Sequence, residues 1–101
     1  VKIATGADNR YTANTTSTVP LEVANFVRMG MSNFEAIQSA TTVAAELLRL
    51  DKQTGRIVTG YEADIILVPN NPLEDINALQ DALLVMSNGQ MAIKRLPFAK
   101  N

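Results

Sequence analysis

The spacing of apolar residues changes twice along the chain, and those changes divide it. Val1 to Thr5 is a short run suited to a strand, and Gly6-Ala7-Asp8-Asn9 ends it and opens a loop. Arg10 to Thr18 is polar, rich in Thr, Asn and Ser, and without periodicity, which reads as surface loop. Pro20 stands where a first helical position would be, with Glu22 near the positive end of the helix dipole. Leu21, Ala24, Val27 and Arg28 then make a short amphipathic helix that Gly30 stops. Ser32 and Glu35 have the spacing of a capping box. Behind them Phe34, Ile37, Ala40, Thr41, Ala44, Leu47 and Leu48 recur three and four apart, which predicts one helix of about four turns with a single buried stripe. Ala40, Ala44 and Ala45 keep its contact face thin, so another element can approach closely.

After Leu50 the pattern becomes strand-like. Lys52-Gln53-Thr54-Gly55 reads as a turn, Arg56 to Thr59 as a short strand, and Gly60-Tyr61 as a second turn. Ala63 to Val68 is an apolar run closed by Pro69, as expected of a strand covered on both faces. Asn70 to Leu79, with Pro72 and two acids, predicts an irregular connection with room for one helical turn. Ala82 to Met86 and Met91 to Lys94 are strands joined through Ser87-Asn88-Gly89-Gln90, and Asn-Gly between apolar runs is a strong hairpin signal. Four short strands make one sheet with two edges, and nothing in the chain is left to cover its second face.

Composition narrows the chemistry. The 101 residues suit one domain. Nine Lys and Arg against ten Asp and Glu give a net charge of -1, without the basic excess of a nucleic-acid binder. There is no Cys and no His, which removes thiolate and imidazole metal ligands and the commonest general base near neutral pH. No apolar run approaches the roughly 18 residues that cross a bilayer, so no membrane partner is expected. The chain opens without Met and without a leader, directly in a strand, which points to a piece of a longer, cytoplasmic protein.

Carboxylates are the remaining candidates. Asp8 follows a strand and opens a loop, and in α/β barrels the carboxyl ends of strands face the active site. An Asx turn to its own backbone is the alternative. Asn9, Arg10 and Tyr11 beside it are substrate contacts or ordinary loop residues. Asp64, at the start of the apolar strand, reads as structural and hydrogen-bonded to the Gly60 turn. Glu74-Asp75 suits the start of a helical turn better than a metal pair. Glu35 is explained by its cap, and Met29, Met31, Met86 and Met91 by core filling or exposed linkers.

Ile3-Ala4-Thr5-Gly6-Ala7-Asp8, Gly30-Met31-Ser32 leading into Glu35-Ala36-Ile37, Ala40-Thr41, and Ala44-Ala45-Glu46-Leu47-Leu48 occur in an order that resembles the C-terminal third of the amidohydrolase superfamily. Its imidazolonepropionase-like and Xaa-Pro-dipeptidase-like members are the most similar. The resemblance continues through Gly55-Arg56-Ile57, Gly60, Ala63-Asp64-Ile65-Ile66, Asn71-Pro72-Leu73-Glu74-Asp75-Ile76 and Asn88-Gly89. It implies an α+β fragment: the last strand and helices of a metal-dependent (β/α)8 hydrolase barrel in residues 1–50, then C-terminal strands of a small β-sandwich in residues 51–101.

The resemblance also implies hydrolysis of a C–N bond in an amide, cyclic amide or dipeptide. Asp8 matches the carboxylate that binds the metal, takes a proton from the attacking metal-bound water and returns it to the leaving nitrogen. The metal, zinc by expectation, belongs to the intact parent, and none is expected on this stretch alone, because the family's His ligands and bridging Lys lie on earlier strands. Ala7 replaces the family's usual small hydroxyl residue, and the following loop lacks a His that several peptidase-like members carry. The partners this implies are the N-terminal part of the parent or a second copy in a homo-oligomer. A non-catalytic α+β assembly module that pairs through its exposed sheet is the competing reading.

Overall fold

A computed structural model describes residues 1–7 and 18–95. Helix α1 runs Val19–Arg28, α2 Asn33–Ser39 and α3 Thr42–Leu47. Strand β1 (Ile65–Leu67), a 3-10 helix (Ile76–Gln80), β2 (Leu84–Ser87) and β3 (Gln90–Lys94) follow. None of the helices among the described residues is long and apolar enough to cross a membrane.

The first helix starts and stops as its sequence requires. The Thr18 hydroxyl accepts from the Leu21 amide at 3.3 Å, and Pro20 falls in the first turn, where its missing N–H costs nothing. At the other end the Met31 amide donates to the Phe26 carbonyl and the Gly30 amide to that of Val27, a Schellman closure. It needs the left-handed backbone that Gly30 supplies at φ 118°. The Ser32–Glu35 capping box then forms in both directions, the Glu35 amide donating to Ser32 Oγ at 3.1 Å and the Ser32 amide to Glu35 Oε1 at 3.4 Å.

The single four-turn helix expected from Phe34 onward is two helices. Ser39 Oγ donates to the Ala36 carbonyl at 2.5 Å and Thr41 Oγ1 to that of Ile37 at 2.9 Å. Hydroxyls bonded back to preceding carbonyls compete with the helical ladder. Here the turn tightens to three-residue bonds (Ala40 N to Ile37 O, Thr41 N to Gln38 O), and Thr41 leaves the helix at φ -128°, ψ -93°. The stripe shifts with the break. Ala36 and Ser39 are buried, whereas Phe34 and Leu47, expected inside, are 59% and 71% exposed, and Leu48 is exposed too.

The core lies among the helices and the 3-10 helix: Val23, Ala24, Ala36 and Ile76, flanked by Phe26, Val27, Met31, Ile37, Ala40 and Leu79. The helical turn allowed for in the connection after Pro69 is the 3-10 helix, capped by Asp75 Oδ1 on the Asn77 amide at 3.0 Å. Asn33 Nδ2 fastens α2 to the same connection, donating to the carbonyls of Pro72 (3.2 Å) and Leu73 (2.9 Å).

The sheet has three strands in the order β1-β2-β3, antiparallel throughout, with a bulge between Val85 and Met86. The hairpin expected at Asn88-Gly89 is present, with φ of 49° and 76°, the positive pair a two-residue type I′ turn needs. Two expected strands are absent. Residues 1–7 and 56–59 have no ladder, because no strand among the described residues lies beside them to take their N–H and C=O groups. Ile57 and Val58 are exposed as a result. Register puts Ile66, Val85 and Ile93 in one row on one face, with Ile66 46% and Ile93 49% exposed. The double cover expected of β1 is not supplied by the described residues.

Candidate functional site

Asp8, with Asn9, Arg10 and Tyr11, lies outside the described residues. What leads up to it is fixed. The Thr5 amide donates to the carbonyl of Ser39 at 3.0 Å, at the break between α2 and α3. Lys2 Nζ meets Glu46 Oε2 on α3 at 2.5 Å, and this bond holds the Lys2 ammonium above its ordinary pKa. Ser39 is buried and its hydroxyl is spent on Ala36, so its carbonyl is a rigid anchor. The helix break therefore exposes the acceptor that aligns the segment entering Asp8. Its mark in the sequence is the pair of hydroxyls Ser39 and Thr41, past which the apolar spacing runs unbroken.

Asp64 is structural, as expected, but its partners are not in the Gly60 turn. One carboxylate oxygen accepts from Thr54 Oγ1 at 2.7 Å and the other from the Asn88 backbone amide at 2.8 Å. The Thr54 hydroxyl first, and the Asn88 amide second, hold its pKa below the ordinary 3.8. The pair of bonds ties the turn before β1 to the hairpin after it. A carboxylate with a lowered native pKa stabilises above its unfolded pKa and loses that contribution as pH falls through the native value. Asp64→Asn is expected to lower the denaturation midpoint at pH 7, with the gap to wild type closing well below pH 3.8. Denaturant titrations of both proteins across that range check this, and a gap independent of pH would contradict it.

The turn that carries Thr54 also packs on α3. A Cβ on Gly55 would lie 3.1 Å from the Ala45 Cβ and 3.1 Å from the Thr41 carbonyl oxygen. The thin face expected from the alanines is thus used, by the chain's own turn. Beside it a cavity of about 420 Å³ opens between α3 and β1, lined by Ala44, Leu48, Gly55, Ile57, Asp64 and Ile66 among others. Its walls are mostly apolar.

Glu74 is exposed and Asp75 is occupied as a cap, so they form no metal pair. Among the described residues no group of three His, Cys, Asp or Glu side chains is placed to hold a metal ion. These residues do not fit a metal centre.

The ordered segment before Asp8, the α2–α3 break and the Gly55 turn all lie in residues 1–92, which match the model of the amidohydrolase family. The chain belongs to that family. Among curated amidohydrolase relatives, adenine deaminase 4 of Rhizobium meliloti (strain 1021) is 38% identical over 80 residues, covering 72% of this chain and 13% of the relative. Ochratoxinase of Aspergillus niger is 46% identical over 57 residues, 54% of this chain and 12% of that protein. A solved Xaa-Pro dipeptidase with bound methionine in its active site superposes with a TM-score of 0.70 at 39% identity, over 73% of this chain and 18% of the dipeptidase. This amidohydrolase chain thus spans about an eighth of the length of the curated relatives.

Proposed function

We propose that these residues are the C-terminal part of an amidohydrolase that hydrolyses a C–N bond in an amide, cyclic amide or dipeptide. The family match over residues 1–92 carries the reading, supported by the 39% identity to the Xaa-Pro dipeptidase. In it, residues 1–50 close a (β/α)8 barrel and residues 51–101 contribute strands to a β-sandwich. Segment 1–7, which has no strand ladder, becomes the last barrel strand once its neighbours are present. The row of Ile66, Val85 and Ile93, exposed at Ile66 and Ile93 and half-buried at Val85, becomes an inner face, covered by the N-terminal part of the parent or by a second copy.

Asp8 is the catalytic residue of this reading. Its carboxylate accepts a proton from the attacking water and returns it to the departing nitrogen, so that the nitrogen leaves as a neutral amine. The divalent ion that the family implies, zinc in our reading, would supply charge stabilisation. Its remaining ligands must come from outside this chain, which has no His and no Cys.

The experiment compares the 101-residue chain with the complete parent on a panel of Xaa-Pro dipeptides and N-acyl amino acids, with zinc and with chelator. Turnover is expected only from the parent and only without chelator. Turnover by the isolated chain would overturn the division of labour. The exposed row also favours the competing assembly module, and a parent without hydrolase activity on any amide would decide for it.

A further inference from the structure

Two hydrogen bonds converge on the exposed turn Asn88-Gly89. The Asn88 amide donates to Asp64 Oδ1 at 2.8 Å, and the Gly89 amide donates to the Ala63 carbonyl at 3.0 Å. The Asn88 carboxamide has no hydrogen-bond partner among the described residues. An Asn followed by Gly places an electrophilic carbon and a nucleophilic nitrogen in adjacent residues, with no side chain on the second to obstruct their approach. In this turn the nitrogen is occupied and the backbone is held at positive φ on both residues.

We propose that Asn88 is a self-modification site, kept as the amide by the bonds to Asp64 and Ala63 and converted to aspartate or isoaspartate when they open. In the open turn the Gly89 nitrogen gives its proton to water and attacks Asn88 Cγ. The bond from Cγ to Nδ2 breaks as that nitrogen takes a proton back from the water and leaves as ammonia, and a five-membered succinimide remains. Water then adds to one of its two carbonyls and breaks that carbonyl's bond to the ring nitrogen, giving aspartate by one route and isoaspartate by the other. No electrons are exchanged, and solvent water is the only co-reactant.

The products act on the fold. Aspartate brings a second negative charge to the turn whose amide Asp64 binds, and nearby like charges repel. Isoaspartate lengthens the backbone by one carbon, which a two-residue turn in fixed register cannot absorb. Either change works against the link between the hairpin and the Thr54 turn, and because the nitrogen has left as ammonia neither is reversed by hydrolysis.

Peptide mapping of the full chain aged at neutral pH tests this, with a free peptide of residues 84–94 as reference. Two bonds, one to a charged acceptor, are expected to make conversion in the chain about tenfold or more slower than in the peptide. Asp64→Ala should accelerate it about tenfold. Thr54→Val, which removes only the opposite anchor of the Asp64 carboxylate, should give a smaller acceleration and serves if Asp64→Ala does not fold. Equal rates in chain and peptide, or wild-type rates in whichever variants fold, would overturn the proposal.

Discussion

Replacing Asp8 by Asn in the complete parent is expected to reduce kcat by about 100- to 10,000-fold, the usual range for losing a positioned general base. An amide cannot take up the proton of the attacking water. Folding should hardly change, because Asn tolerates the same strand-to-loop turn. The Asx-turn alternative gives small changes in both rate and stability. Steady-state kinetics at saturating metal, paired with denaturant midpoints, separate the two. Wild-type kcat in Asp8→Asn would show that Asp8 is not the proton acceptor.

The largest expected loss of stability is at Gly55. Ala at this position meets a left-handed backbone of φ 98°, costing about 1–2 kcal/mol. Its methyl must also displace Ala45 or the Thr41 carbonyl, each 3.1 Å away, and overpacking of this kind costs about 1–3 kcal/mol. Together they make about 2–5 kcal/mol, a large share of a stability of roughly 5–15 kcal/mol. Gly60→Ala is the matched control: it shares a positive φ of 90° but has nothing within 4 Å of the added carbon. It should lose only the backbone part. Equal losses in the two variants, measured from denaturant midpoints, would mean that the turn does not press on α3 as described.

These residues also show what the sequence made legible. Caps, turns and the hairpin were readable because each depends on a few adjacent residues: Pro20 with Glu22, Ser32 with Glu35, Asn88 with Gly89. The Thr18 cap on the same helix went unread in a polar run. The helix break was not, because apolar periodicity runs straight through Ala40 and Thr41 while the decision lies with two hydroxyls and their carbonyls. Arg56 to Thr59 has strand composition, but a strand exists only beside another, and no described strand pairs with these residues. Asp64 was recognisable as structural from its place before the apolar run. Its partners, ten and 24 residues away, are set by the fold and not by spacing. Asp8 stood out by its place after a strand and took its role from the family resemblance, and it lies outside the described residues.

The core has one more consequence. Ile76 closes over Val23, Ala24 and Ala36, and Asn33 reaches the carbonyls of Pro72 and Leu73, so residues 70–80 pack with the helices although they follow β1 in the chain. Order along the chain and membership of the core therefore differ. A chimera that joins two homologues after Leu50 would pair one parent's helices with the other's Ile76 and Leu79, setting mismatched shapes face to face. Exchange of the sheet between relatives is better tolerated when segment 70–80 travels with the helices it covers.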